Sequence, residues 1–156
     1  MIEQLAALCQ SNQIKIATAE SCTGGMVSSA ITDLAGSSQW FDAGFVTYSN
    51  EAKMSMLGVD PHTLDSYGAV SEPVVIEMAK GAVAHSQAHF AVSISGVAGP
   101  GGGTKDKPVG MVCFGVSDGK KSTASTVQFD GDRARVREQS REFALKFLKE
   151  FIEASV

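Results

Sequence analysis

Residues 14–48 run Ile14-Lys15-Ile16-Ala17-Thr18-Ala19-Glu20-Ser21-Cys22-Thr23-Gly24-Gly25, then MVSSAITDLAGSSQW, then Phe41-Asp42-Ala43-Gly44-Phe45-Val46-Thr47-Tyr48. Ile14–Ala19 has the apolar content of a strand, and Glu20–Gly25 breaks it. A helix fits Gly25–Leu34 and ends near Gly36. Trp40–Tyr48 is a second run of aromatic and β-branched residues and predicts a strand. Strand, helix and strand in this order predict a crossover, the connection that lets neighbouring strands run parallel.

The rest of the chain extends the same alternation. Residues 2–12 place Ile2, Leu5, Ala6, Leu8 and Cys9 on one helical face. Ser49-Asn50 caps a short helix through Leu57, closed by Gly58. Residues 59–70 look irregular, with Asp60-Pro61 as a turn. Ser71-Glu72-Pro73 opens a helix to about Ser86, with proline in its first turn. Phe90–Ser95 is an apolar run of the buried-strand kind. Pro108–Val116 and Thr123–Phe129 predict an antiparallel hairpin about Asp118-Gly119. Arg133–Ala154 predicts a final amphipathic helix. The expected fold is one α/β domain over residues 1–156, a three-layer α/β/α sandwich around a mixed, mostly parallel sheet of about five strands.

Composition narrows the function classes. The chain has 156 residues, 44% of them hydrophobic, which suits one domain with its own core and excludes a disordered chain. No apolar run approaches the ~18–20 residues of a membrane span. The net charge of −4 argues against general nucleic-acid binding, which needs clustered cations. Cys9, Cys22 and Cys113 are odd in number and widely spaced, so they predict reduced thiols rather than a disulfide framework or zinc site. The opening MIEQLAALCQ is not a signal peptide, and a cytoplasmic location is expected.

Four stretches could carry chemistry, three of them at or after a predicted strand, where α/β sheets gather their sites. Thr18–Gly25 is a strand–turn–helix whose amides could hold an anion. On spacing alone it fits a plain capped helix start better, with Ser21 or Thr23 bonding only backbone. Gly36-Ser37-Ser38 precedes the Trp40 strand, and Tyr48, Asn50 and Lys53 follow it. A serine needs a base, and none of His62, His85 and His89 lies beside a serine–glycine turn. A desolvated lysine can serve instead. Lys53, one turn into its helix, could reach back to the strand end, although a solvated surface lysine fits the same position.

Ser95-Gly96-Val97-Ala98-Gly99-Pro100 continues into Gly101-Gly102-Gly103. It is neither a phosphate loop ending in G-K-[ST] nor a dinucleotide fingerprint, because it leads to a strand. It is a surface loop or a wrap around a ligand. Arg133, Arg135 and Arg137 open the last helix; Arg133 and Arg137 share a face and Arg135 points elsewhere. Cations in a first turn oppose the helix dipole, which suggests a nearby anion as an alternative to a solvated face.

Thr18–Gly25, Gly44–Lys53, Gly68–Ser71 and Ser95–Pro100 together resemble the motifs of the CinA carboxy-terminal domain family, in order and over essentially the whole chain. The resemblance is to the stand-alone form, without a molybdopterin-binding-like domain. Stand-alone members are nicotinamide mononucleotide (NMN) amidohydrolases. The resemblance therefore implies deamidation of NMN to nicotinate mononucleotide by a Ser/Lys hydrolase, with no metal and no cofactor. It places the nucleophile at Ser38, with Ser21 as the alternative, and the base at Lys53. Tyr48 orients or relays the proton. Ser21, Thr23, Gly24, Gly96 and Gly99 line the pocket, and Arg135 meets the phosphate. Glu20 is a candidate partner for the pyridinium. A homodimer is expected, partly from the apolar Trp40, Phe41 and Phe45. The competing readings are a nucleotide-binding module without turnover and a cysteine amidase using Cys22, whose thiol a helix start would activate.

Overall fold

The crossover expected from residues 14–48 is formed. In the computed structural model, which describes residues 1–156, the chain runs through α1 (Ile2–Ser11), β1 (Ile16–Glu20), α2 (Met26–Thr32), β2 (Phe41–Val46), α3 (Asn50–Leu57), α4 (Pro61–Tyr67), α5 (Glu72–Ala84), β3 (Phe90–Gly96), β4 (Met111–Ser117), β5 (Ser122–Gln128) and α6 (Arg133–Ser155). The sheet order is β2-β1-β3-β4-β5. β1 lies parallel to both β2 and β3, whereas β4 is antiparallel to β3 and β5. Only β4 is therefore reversed, and the sheet is mixed with one dominant direction.

Side-chain alternation divides the core into two layers. Ile16, Phe90, Val92, Ile94, Phe114 and Val116 face α1, α2 and α6. Ala17, Ala19, Ala91 and Cys113 face α3, α4 and α5. The second face is built of small residues, so α5 lies close upon it. A Cβ at Gly115 would overlap the Val75 carbonyl oxygen, and one at Gly81 would overlap the Leu57 carbonyl oxygen. Glycine is required at both positions by close approach.

Two expectations change. Residues 59–70 contain helix α4: the Asp60 carboxylate accepts from the His62 N–H at 2.8 Å and Pro61 occupies the first turn. Asp60-Pro61 is thus a helix start rather than an isolated turn. Trp40 is only 1% exposed and belongs to the α1/α2/α6 core, so it offers no surface for a partner. Phe41 and Phe45 are half-buried against the two cores.

The topology positions one crevice. From β1 the chain moves outward to β2, then returns across the sheet to β3 on the other side of β1. The connections leaving β1 and β3 diverge, which opens a cleft at the carboxyl ends of these strands. Ser21-Cys22 follows β1, Thr47-Tyr48 follows β2, and Ser95-Gly96 ends β3.

Candidate active site

The deepest polar contact of the crevice joins Lys53 to Ser21. The Ser49 hydroxyl accepts from the Ala52 N–H at 3.1 Å and fixes the start of α3 directly after β2. Lys53 stands one turn in and folds back, leaving only 1% of its surface exposed. Its Nζ lies 2.9 Å from the Thr47 carbonyl oxygen, 3.0 Å from Ser21 Oγ and 3.4 Å from the Tyr48 carbonyl oxygen. Burial without a carboxylate partner lowers its pKa from 10.5 to about 8. A neutral amine has two N–H bonds and one lone pair. Nζ donates to Ser21 Oγ as well as to the two carbonyls; once neutral, with its two N–H bonds on the carbonyls, its lone pair is free to accept the Ser21 proton.

Ser21 is held equally firmly. Its N–H donates to the Ile94 carbonyl of β3 at 2.9 Å. The preceding residue, Glu20, is wholly buried and its carboxylate accepts from the N–H groups of Gly25, Val27 and Ser28 at 3.0–3.2 Å, and from the Ser28 hydroxyl at 2.9 Å. A carboxylate at a helix start satisfies orphan amides and complements the dipole. Glu20 is consumed by that task, which removes it as a partner for a substrate cation. Gly24 and Gly25, at φ +58° and +107°, make the turn into α2. Gly44 on β2 leaves room for the Ser28 hydroxyl.

Around this pair lies a cavity of ≈ 250 Å³, walled by Asn50, Val70, Ser95, Gly96, Ala98 and Arg133 as well as Ser21 and Lys53. Arg133 closes one side: Nη1 donates to the Gly99 carbonyl at 2.9 Å and Nη2 to the Tyr48 hydroxyl at 3.5 Å. Beyond Arg133 and Ala98 lies a second cavity of ≈ 470 Å³, between the glycine-rich loop and the start of α6. Cys22 is buried beside Ser21, and burial pushes its thiol up to about 11, far from the activated thiolate a cysteine amidase needs. No group of three or more His, Cys, Asp or Glu residues stands close enough to hold a metal ion.

The family model for the CinA C-terminal domain matches residues 1–152. The chain belongs to the CinA C-terminal domain family. Among its relatives is the nicotinamide-nucleotide amidohydrolase PncC of Escherichia coli K12, 52% identical over 147 residues, covering 94% of this chain and 89% of the relative. The nicotinamide-nucleotide amidohydrolase PncC of Enterobacter agglomerans is 57% identical over 140 residues, covering 88% and 85%. The solved CinA superfamily protein from Klebsiella pneumoniae superposes with a TM-score of 0.94 at 35% identity, covering 98% of this chain and 96% of that one.

In this CinA domain the expected site residues fare unequally. Ser21, Lys53, Gly96 and Tyr48 meet at the cleft. Tyr48 contributes its carbonyl to the Ser21–Lys53 contact, while its ring is 64% exposed and its hydroxyl faces Arg133. Gly99 acts through its carbonyl on Arg133. Thr23 is buried and Gly24 borders a different depression with Asp33 and Arg141, so neither walls the cleft.

Ser38 is not there. It lies exposed in a single 3-10 turn, Ser37–Gln39, ahead of β2. Lys53 comes after β2, and the six residues of that strand separate the two ends by ~20 Å at ~3.3 Å per residue. Arg135 is also elsewhere: exposed, pairing with Glu138 at 3.5 Å, while Arg133 reaches the cleft. Helical spacing separates Arg135 from the face of Arg133 and Arg137, but of these two only Arg133 walls the cleft. Ser95, which opens the glycine-rich stretch, is nearly fully buried at the end of β3 and walls the cleft.

Proposed function

We propose that this chain hydrolyses the carboxamide of nicotinamide mononucleotide, giving nicotinate mononucleotide and ammonia, with Ser21 as nucleophile and Lys53 as base. The observation that carries the reading is the buried 3.0 Å contact between Lys53 Nζ and Ser21 Oγ. The names of the PncC relatives supply the substrate. Lys53, neutral in part near pH 7, takes the hydroxyl proton as Ser21 Oγ attacks the amide carbon. The resulting ammonium protonates the amide nitrogen as the tetrahedral intermediate collapses. Ammonia leaves an ester on Ser21. Water, deprotonated by Lys53, hydrolyses that ester.

The two adjoining cavities suit a substrate with a small amide-bearing ring and a bulkier tail. Arg133 stands between them and takes the phosphate role in place of Arg135. An acidic protein also favours a cationic pyridinium. The chain acts in nucleotide recycling in the cytoplasm, in keeping with three free, buried cysteines. A second copy would pair through the unpartnered edge of β2.

The test is ammonia release from NMN by three variants. Ser21→Ala should lower kcat by ~10³-fold or more, whereas Ser38→Ala should stay within about twofold of the parent. Collapse of Ser38→Ala with a healthy Ser21→Ala would reverse the assignment. Lys53→Met should fold and be as inactive as Ser21→Ala.

A further inference from the structure

Arg137 lies one turn beyond Arg133 on α6, half-buried, and does not wall the cleft. Its Nε–H donates to the Cys22 carbonyl at 3.0 Å and its Nη2–H to the Thr23 carbonyl at 3.2 Å. It has no carboxylate partner, so its polar contacts go to two consecutive carbonyls immediately after Ser21. These residues are separated from it by 115 and 114 positions in the chain, so the contact is purely tertiary.

The consequence follows from the planarity of the peptide bond. In a trans peptide the C=O and the following N–H point in opposite directions. Holding the Cys22 carbonyl on the α6 side therefore turns the Thr23 N–H away from α6. The Ser21 carbonyl accepts from the Gly24 N–H at 3.1 Å, which likewise turns the Cys22 N–H outward. The Thr23 N–H has no acceptor in the protein. The Cys22 N–H likewise donates to no backbone carbonyl. The Thr23 hydroxyl is buried and unpartnered, so the turn is not oriented by its own side chain.

We infer that Arg137 is a positioning residue for catalysis: its guanidinium fixes the Cys22–Thr23 turn so that the backbone N–H of Cys22, which walls the cleft beside Ser21, is presented to the oxyanion of the tetrahedral intermediate. The inference rests on the reading of Ser21 as nucleophile. Glu20 secures the helix side of the same turn, and Arg137 secures the other side. A lysine would keep the charge but cannot span two carbonyls with a rigid fork.

The experiment compares Arg137→Lys and Arg137→Ala with the parent, after thermal melts have established that they fold. The substrate is NMN, and the second probe is its 3-formylpyridine analogue, an aldehyde that forms a tetrahedral adduct with a serine hydroxyl. Loss of aligned oxyanion donors should lower kcat by about 10–100-fold with KM within about twofold. Affinity for the aldehyde should fall in parallel with kcat. Guanidinium chloride should restore part of the activity of Arg137→Ala and none of Arg137→Lys.

A folded Arg137→Lys with kcat and aldehyde affinity within about twofold of the parent overturns the inference. So does a raised KM at unchanged kcat, which would mark a binding role. If Arg137→Ala fails to fold, the Lys variant decides alone. A parent that releases no ammonia from NMN, or a Ser21→Ala variant that still does, sinks the underlying reading and this inference with it. An active parent, a dead Ser21→Ala and a normal Arg137→Lys sink this inference alone.

Discussion

If Lys53 is the base, kcat/KM for NMN must follow the neutral fraction of one buried amine. Burial lowers its pKa to about 8. With that value the neutral fraction is ~9% at pH 7, ~50% at pH 8 and ~91% at pH 9. The rate should therefore rise about tenfold between pH 7 and 9 and flatten above, with the bend near pH 8. A lysine left at its ordinary 10.5 would give about a hundredfold rise over the same interval, still climbing at pH 9. A histidine or carboxylate base would already be deprotonated and the profile nearly flat. The three cases differ by more than ordinary kinetic error. The assay is chromatographic measurement of nicotinate mononucleotide at low substrate. Working above pH 7 keeps the substrate phosphate, with a second pKa of ~6, in one ionic form. A flat profile, or unit slope continuing past pH 9, would refute the mechanism argued from the Lys53 environment. Lys53→Arg, charged at every pH of the series, should lose ~10²–10⁴ in rate.

The same group leaves a signature in stability. Its folded pKa lies below the unfolded 10.5, so between about pH 8 and 10.5 the unfolded chain binds more protons and stability rises with pH. Denaturant titrations should show the parent gaining about 2–3 kcal/mol relative to Lys53→Met from pH 7 to pH 10. A constant difference would mean that Lys53 is not desolvated. A further expectation concerns Arg133, which borders both cavities. Arg133→Gln should cut kcat/KM for NMN at least tenfold while leaving the slow turnover of nicotinamide riboside nearly unchanged. An equal loss on both substrates would place the phosphate elsewhere.

Local patterns carried most of the fold. The Ser49 cap and Gly58 stop bounded α3 as expected, because both signals act within one turn. The Asp118-Gly119 turn gave the β4–β5 hairpin, since loop chemistry fixes antiparallel pairing at short range. Helix α4 was missed because seven residues hold too few apolar positions for periodicity to register, although Asp60-Pro61 is a helix-start pair. The site was harder. Both candidate serines sit in small-residue turns, and nothing in their neighbours distinguishes them. The strand direction does: a residue before a parallel strand lies at the opposite end of the sheet from one after it. Applied to Ser38, that rule removes it from the crevice.

What the residue order alone determined is the succession of elements and the layered α/β class. These depend on periodicity, capping and turn chemistry, which act over a few residues. What only the tertiary structure decided is which hydroxyl faces the amine, which arginine enters the cleft, and that Glu20 serves the helix. Those facts depend on contacts between residues tens of positions apart, such as Lys53 with Ser21 at 32 and Arg137 with Cys22 at 115. Their distances are set by how sheet and helices pack, and no local pattern encodes them.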